Sequence, residues 1–191
     1  MKRVFKRRRI GVTNYRKRLA LLKSGKPRLV VRKSNKHVKV QFIEYVPSGD
    51  RVICEANSKE LSKIFPERAN LPTTYLTSLL AAKRALAKGI KEFVLDIGLA
   101  RPTKNNFCFV AAKAAIDAGL VSNFGAEIDE KRIRGEHIKE YALLLKKQDP
   151  EKYKRQFSEY LKQNFLPEEI DKLFEEAKKK VLEWSGNQKL S

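Results

Sequence analysis

The sequence predicts an α/β protein: a mixed sheet, made of an antiparallel meander plus a parallel strand, packed with helices and flanked by a basic N-terminal arm and a C-terminal helical extension. Three observations carry that prediction. Apolar residues alternate with a period of two from Leu29 into the segment ending at Cys54. A helical stripe through Leu76, Leu79, Leu80 and Leu86 is followed by a compact apolar run, Phe93 to Ile97, so strand, helix and strand occur in the order of a right-handed crossover. From Ala126 onward, acids and cations interleave and the apolar residues fall only at helical spacing. These changes divide the chain into residues 1–27, an arm and short helix, residues 28–125, the α/β core, and residues 126–191, the helical extension.

Met1 to Thr13 contains Arg7-Arg8-Arg9 and no acid, which predicts an extended arm that orders only against a partner, with a solvated charge run as the alternative. Tyr15, Leu19 and Leu22 then recur at helical spacing while Arg16, Lys17 and Lys23 point elsewhere, giving a short basic helix that Gly25 and Pro27 end. Leu29 and Val31 alternate with Val30 and Arg32, and Ser34-Asn35 sit where a tight turn belongs, so a second strand is expected from His37 to about Val46. Pairing Val31 with Val38 and Leu29 with Val40 gathers four apolar residues on one face and leaves Arg32, His37 and Lys39 with Val30 on the other. Pro47-Ser48-Gly49-Asp50 turns the chain into a third strand at Val52-Ile53-Cys54.

A loop with Pro66 and Pro72 precedes the Leu76–Leu86 helix, which Gly89 ends. Phe93 to Ile97 reads as a strand buried on both faces. The next helix is expected from about Phe107 to Ala118, with Asn105 or Asn106 as its cap and Gly119 beyond its end. In the extension, Asp149-Pro150 and Leu166-Pro167-Glu168-Glu169 are helix starts, with proline at the first helical position and acids in the opening turn. One stripe runs through Tyr153, Phe157, Tyr160 and Leu161, and another through Ile170, Leu173, Phe174, Ala177, Val181 and Trp184. Both are expected to lie on the chain's own body, docking on another protein or on RNA being the alternative.

Charge is the strongest functional signal. Of 42 Lys and Arg against 22 Asp and Glu, 16 cations and no acid fall in residues 1–43, so the remaining 148 residues carry only +4 of the total +20. Such a head repels itself unless a polyanion neutralises it, and nucleic acid is the obvious one. An anionic membrane surface would need a long apolar face beside the charge, and only Tyr15 to Leu22 supplies a short one. No run approaches membrane-spanning length and the Met-Lys-Arg start lacks the apolar stretch of a signal peptide, so a cytosolic chain is expected. A removable basic presequence is countered by the hairpin strand that the head contains. The absence of helix-turn-helix and zinc-finger patterns, with cations spread over an arm, a helix and a sheet face, favours folded RNA over duplex DNA. Residues 28–125 are then the RNA-binding core, and Tyr15 and His37 are candidates to stack on bases or simply to pack.

Catalytic and cofactor chemistry finds little footing. Lys23-Ser24-Gly25-Lys26 resembles a phosphate-binding loop, but Ala20 stands where its first glycine belongs and Pro27 where its Ser or Thr belongs. His37, His137, Cys54 and Cys108 have no metal-ligand spacing, so no zinc is expected, and both cysteines read as reduced core residues. Asp96 ends a strand where α/β proteins tend to place ligands, which keeps an RNA-processing enzyme centred on Asp96 as the alternative function. It is followed not by a second acid but by Arg101, Lys104, Asn105 and Asn106 before a helix start, a pattern suited to a phosphate or to ordinary capping. Glu127, Asp129 and Glu130 read as the opening of a helix in the extension.

The run Tyr15-Arg16-Lys17-Arg18-Leu19 through Leu22-Lys23-Ser24-Gly25-Lys26-Pro27-Arg28-Leu29-Val30, with Arg32-Lys33-Ser34-Asn35-Lys36-His37-Val38, resembles the 5S-rRNA-binding protein family of the large ribosomal subunit, number eighteen in the bacterial series and five in the eukaryotic one. Asn70-Leu71-Pro72 with Tyr75-Leu76-Thr77, Leu95-Asp96-Ile97-Gly98-Leu99, Ala115-Ile116-Asp117-Ala118-Gly119-Leu120 and Arg134-Gly135-Glu136-His137-Ile138 follow in the family's order. The extension beyond Ala126 is similar to the archaeal and eukaryotic branch. The resemblance implies a non-enzymatic, cytoplasmic constituent of the large subunit, without cofactor, that is not a homo-oligomer. Such a protein holds 5S rRNA in the central protuberance against large-subunit (23S-type) rRNA and a neighbouring 5S-binding protein, number five of the bacterial large-subunit series. By position it implies an RNA surface of Lys6, Arg7, Arg8, Arg9, Arg16, Lys17, Arg18, Lys23, Lys26, Arg28, Arg32, Lys33, Ser34, Asn35, Lys36 and His37, to which the reading of the residues themselves adds Tyr15 and Lys39. Arg101, Thr103, Lys104 and Asn105 join it in the loop before the second core helix, where relatives often have glycine at the position of Asn105.

Overall fold

A computed structural model describes residues 4–184; residues 1–3 of the expected arm and residues 185–191 of the extension lie outside it. The chain folds as the α/β architecture expected. Its four-stranded sheet has the order β3-β2-β1-β4, built from β1 (Arg28–Lys33), β2 (Val38–Val46), β3 (Gly49–Asn57) and β4 (Val94–Asp96). The first three strands are an antiparallel meander, and β4 lies parallel to β1.

The apolar alternation puts Leu29, Val31, Val38, Val40 and Phe42 on one fully buried face, and helices α3 (Leu71–Ala87) and α4 (Phe107–Asp117) cover it. Asn70 caps α3 by accepting from the Thr73 N–H at 2.9 Å, and Asn106 caps α4 by accepting from the Cys108 N–H at 2.9 Å. Both cysteines are free and buried in this core, where desolvation pushes the thiols up to about 11 at Cys54 and about 12 at Cys108.

Several expectations need correction. The hairpin register is two residues off: Val31 pairs with Val40 and Leu29 with Phe42, because Ser34 to His37 form a four-residue loop and β2 starts at Val38. An even shift preserves the faces, so Leu29, Val31, Val38 and Val40 still share the core side. Pro72 lies inside the first turn of α3, where its missing N–H costs no helical bond, not in the preceding loop. The strand at Phe93 is three residues long and sits at the sheet edge, with Val94 and Leu95 only half-buried. The described part of the arm is not extended, since Lys6–Arg9 wind into one helical turn, α1, and backbone bonds continue to Val12. Helix α2 (Tyr15–Leu22) forms as expected, but Leu19 is 58% exposed, and Tyr15, Arg18, Leu21 and Leu22 face the body instead.

The extension supplies α5 (Glu130–Arg134), α6 (Glu136–Gln148), α7 (Pro150–Gln156), α8 (Ser158–Lys162) and α9 (Ile170–Glu183). Its stripes pack on the chain's own body, as expected. The Phe174 ring meets Tyr75 of α3 at 5.5 Å, Tyr160 Oη accepts from Asn70 Nδ2 at 2.9 Å, and Arg84 of α3 lies 5.3 Å from the Trp184 ring. Gly135, between α5 and α6, has φ +86°, and a Cβ there would stand 3.1 Å from Ile170 and 3.3 Å from Pro72. Only glycine satisfies both the backbone and the close approach of α9 and α3. No helix among the described residues is long and apolar enough to cross a membrane.

Candidate nucleic-acid interface

The sheet face turned away from α3 and α4 carries the charge. Along β1, Arg28, Val30 and Arg32 point to this face because Leu29 and Val31 point to the core. Helix α2 lies over part of it, with Arg18 and Leu21 meeting Val30 and Ile43 across a cleft of about 480 Å³ that Arg7, Lys17 and Arg32 also line.

A chain of ion pairs fixes that arrangement. Arg18 Nη2 lies 2.8 Å from Asp50 Oδ1, Arg28 Nη2 lies 2.9 Å from Asp50 Oδ2, and Arg28 Nη1 lies 2.8 Å from Asp96 Oδ2. Burial raises the Asp50 carboxyl, but hydrogen bonds from Arg18 and Arg28 outweigh it and hold the carboxyl below its ordinary value. Asp96 has its other oxygen bonded by the Gly98 N–H at 2.9 Å. Both oxygens of Asp96 are thus committed to partners within the fold. Arg28 is the departure among the expected RNA contacts: it is 3% exposed and serves as a buried brace between β1, the β2–β3 hairpin and β4.

Among the described residues, most other cations of the head turn outward. Lys6, Arg7, Arg8 and Arg9 on α1, Arg16 and Lys17 on α2, and Lys23, Arg32, Lys33 and Lys36 are exposed. Arg7 Nε donates to Thr13 Oγ1 at 2.9 Å, and the Phe5 and Tyr15 rings meet at 5.2 Å, so α1 is hung on the start of α2. Lys26 and Lys39 carry acids from elsewhere, Glu92 at 2.6 Å and Glu55 at 2.9 Å. In the β1–β2 loop the Ser34 N–H donates to the His37 carbonyl at 2.8 Å, and the His37 N–H donates to Ser34 Oγ at 3.0 Å. That closure presents Asn35 and Lys36 outward and half-buries His37.

Arg101 and Thr103 are exposed beyond β4. Lys104 and Asn105 do not line the α2 cleft but border another hollow, of about 670 Å³, shared with Glu127, Asp129 and Glu130. Those acids weaken the case for a phosphate there. Asn105 adopts φ 55° and its Oδ1 accepts from the Asp129 N–H at 3.0 Å, a left-handed conformation that suits glycine and that asparagine tolerates. Asp129 caps α5 by accepting from the Lys131 N–H, so the acid cluster is the helix opening that the sequence suggests.

Sequence reasoning missed the Arg18–Asp50–Arg28–Asp96 chain. No local period links residues so far apart, and the placement of Asp50, an acid in the turn just after the acid-free head, was the one available hint.

Residues 1–92 match the family described as ribosomal large subunit proteins 60S L5, and 50S L18. The chain is 52% identical over 182 residues to a protein of Ignicoccus hospitalis named large ribosomal subunit protein uL18, covering 93% of this chain and 89% of that protein.

Proposed function

The chain belongs to the uL18 family of large-subunit ribosomal proteins, and on that premise we propose that it binds 5S rRNA and anchors it in the central protuberance. The family is structural rather than enzymatic, and the chain is an archaeal-type, cytoplasmic constituent of the large subunit, with rRNA and ribosomal proteins as its partners. In the proposed arrangement, α1, α2 and the β1–β2 loop contact 5S rRNA, while large-subunit rRNA and the neighbouring 5S-binding protein complete the anchor.

The observation that carries this reading is the acid-free head, in which Arg7, Lys17 and Arg32 line a braced cleft while Arg16, Lys33 and Lys36 are exposed on the same stretch of chain. Arg18 and Arg28 contribute by holding α2 and β1 in place, and phosphate contacts from the others position the RNA. The folded loop and α2 are held before RNA arrives, so less ordering cost falls on binding.

Large subunits depleted of this protein test the proposal. They are expected to lack 5S rRNA, and adding back the wild-type chain restores it. A chain with Lys33, Asn35 and Lys36 all replaced by alanine should fail to restore it. Depleted particles that retain 5S rRNA would contradict the anchoring role.

A further inference from the structure

Beside the tip of the β1–β2 loop lies a separate cleft of about 460 Å³, within the size range of sites for small ligands. Asn35 of the loop and Arg68, just before α3, form one side; His137 and Tyr141 of α6 and Gln156 and Phe157 at the end of α7 form the other. None of its lining residues is acidic.

The floor is firm and the wall is aromatic. Phe157 is buried, with Tyr153 at 5.4 Å and Tyr160 at 5.8 Å behind it. Tyr141 leans on Phe157 at 6.2 Å yet is 42% exposed, so its ring is a supported face open to solvent. His137 Nδ1 is shielded and has no hydrogen-bond partner among the described residues. Burial, then the Arg132 charge, lowers the His137 pKa below its ordinary value. Asn35 and Gln156 add exposed amides, which can donate and accept, and Arg68 adds a cation.

We propose that this cleft takes one unpaired nucleotide of the bound RNA, with its base against Tyr141 and His137 and its phosphate toward Arg68. An aromatic face with amides and a guanidinium and no carboxylate suits a base that has left its stack. A peptide partner would want the apolar floor, but Phe157 and Tyr160 are buried under the polar rim. Asn35 belongs both to this cleft and to the loop that carries Lys36, so RNA lying on the loop passes the mouth of the cleft. The inference rests on the rRNA-binding reading only in that the same RNA reaches both surfaces.

The test uses the full chain with short single-stranded oligoadenylate and oligouridylate, and a fully paired RNA duplex as the comparison. The ring resonances of His137 and Tyr141 should shift with the single strands and stay in place with the duplex. Tyr141→Ala should weaken single-strand binding about tenfold without changing its salt dependence, and Tyr141→Phe should restore it. Tyr141 is surface-exposed, so the alanine variant is expected to fold, and unchanged far-ultraviolet circular dichroism checks this. Equal shifts with the duplex, no shift at either ring, or wild-type affinity in Tyr141→Ala would each overturn the proposal. So would ring shifts produced only by an apolar peptide, which would assign the cleft to a protein. Because these probes are not 5S rRNA, a failure of 5S preference leaves the result readable.

Discussion

The head and the extension carry nearly equal numbers of Lys and Arg, 16 in residues 1–43 and 15 in residues 126–191, but only the extension neutralises them within itself. Its 14 acids lie among the cations, and the folded helices match them: Lys139 to Asp171 at 2.7 Å and Lys146 to Glu168 at 2.8 Å. The head has no acid of its own. The few of its cations that are paired borrow Asp50, Asp96, Glu55 and Glu92 from the core, and the rest of those among the described residues face solvent. A nearly equal number of cations thus means folding stability in one region and a missing partner in the other. The arrangement of acids, more than the number of cations, separates the two.

The largest expected effect breaks the border between the head and the core. Asp96→Ala leaves buried Arg28 with Asp50 alone and should cost about 3 kcal/mol in urea unfolding, the lower end for a disrupted buried pair. A loss below about 1 kcal/mol would mean that the brace is dispensable. Next comes the arm: replacing Arg7, Arg8 and Arg9 with alanine should lower the salt slope of RNA binding by up to about three units and leave stability unchanged, since all three side chains are exposed. A slope that does not move would take the arm out of the interface.

In the extension the effect is smaller and is read in pH. A hydrogen bond from Lys139 holds the Asp171 carboxyl below its ordinary value, so its folded pKa lies under the unfolded one. Its contribution is therefore complete above the unfolded pKa of about 4 and is lost as pH falls further. Asp171→Asn should flatten acid unfolding below about pH 4 while RNA affinity at neutral pH stays the same; altered affinity would show that the extension's charges also serve RNA. The smallest effect is Asn105→Gly, expected to change stability by no more than about 1 kcal/mol because glycine accepts φ 55° but gives up the bond to Asp129.

What was legible in the sequence followed from local periods. Alternation in β1 and β2 identified the core face, and the stripes from Tyr153 to Trp184 identified helices that needed a floor. What escaped depended on lengths and distances that a period does not encode. The loop from Ser34 to His37 is four residues rather than two, which moved the register without moving the faces. Leu19 fits a helical stripe, yet Arg18 takes the inward place because Asp50 waits across the cleft. Arg28 reads as one more cation of the head until β4 brings Asp96 beside it. The aromatic cleft beside Asn35 was invisible for the same reason, Asn35 and Arg68 being far in the chain from His137, Tyr141 and Phe157.

The claim that the head reads a particular RNA is tested most directly by a salt titration of binding to 5S rRNA, transfer RNA and a duplex of equal length. A braced surface that fits one RNA shape predicts a strong preference for 5S rRNA that persists as salt rises, because the shared phosphate contribution weakens for all three. Equal affinities that salt erases together would show a head that is merely cationic, and would contradict the proposed anchoring of 5S rRNA.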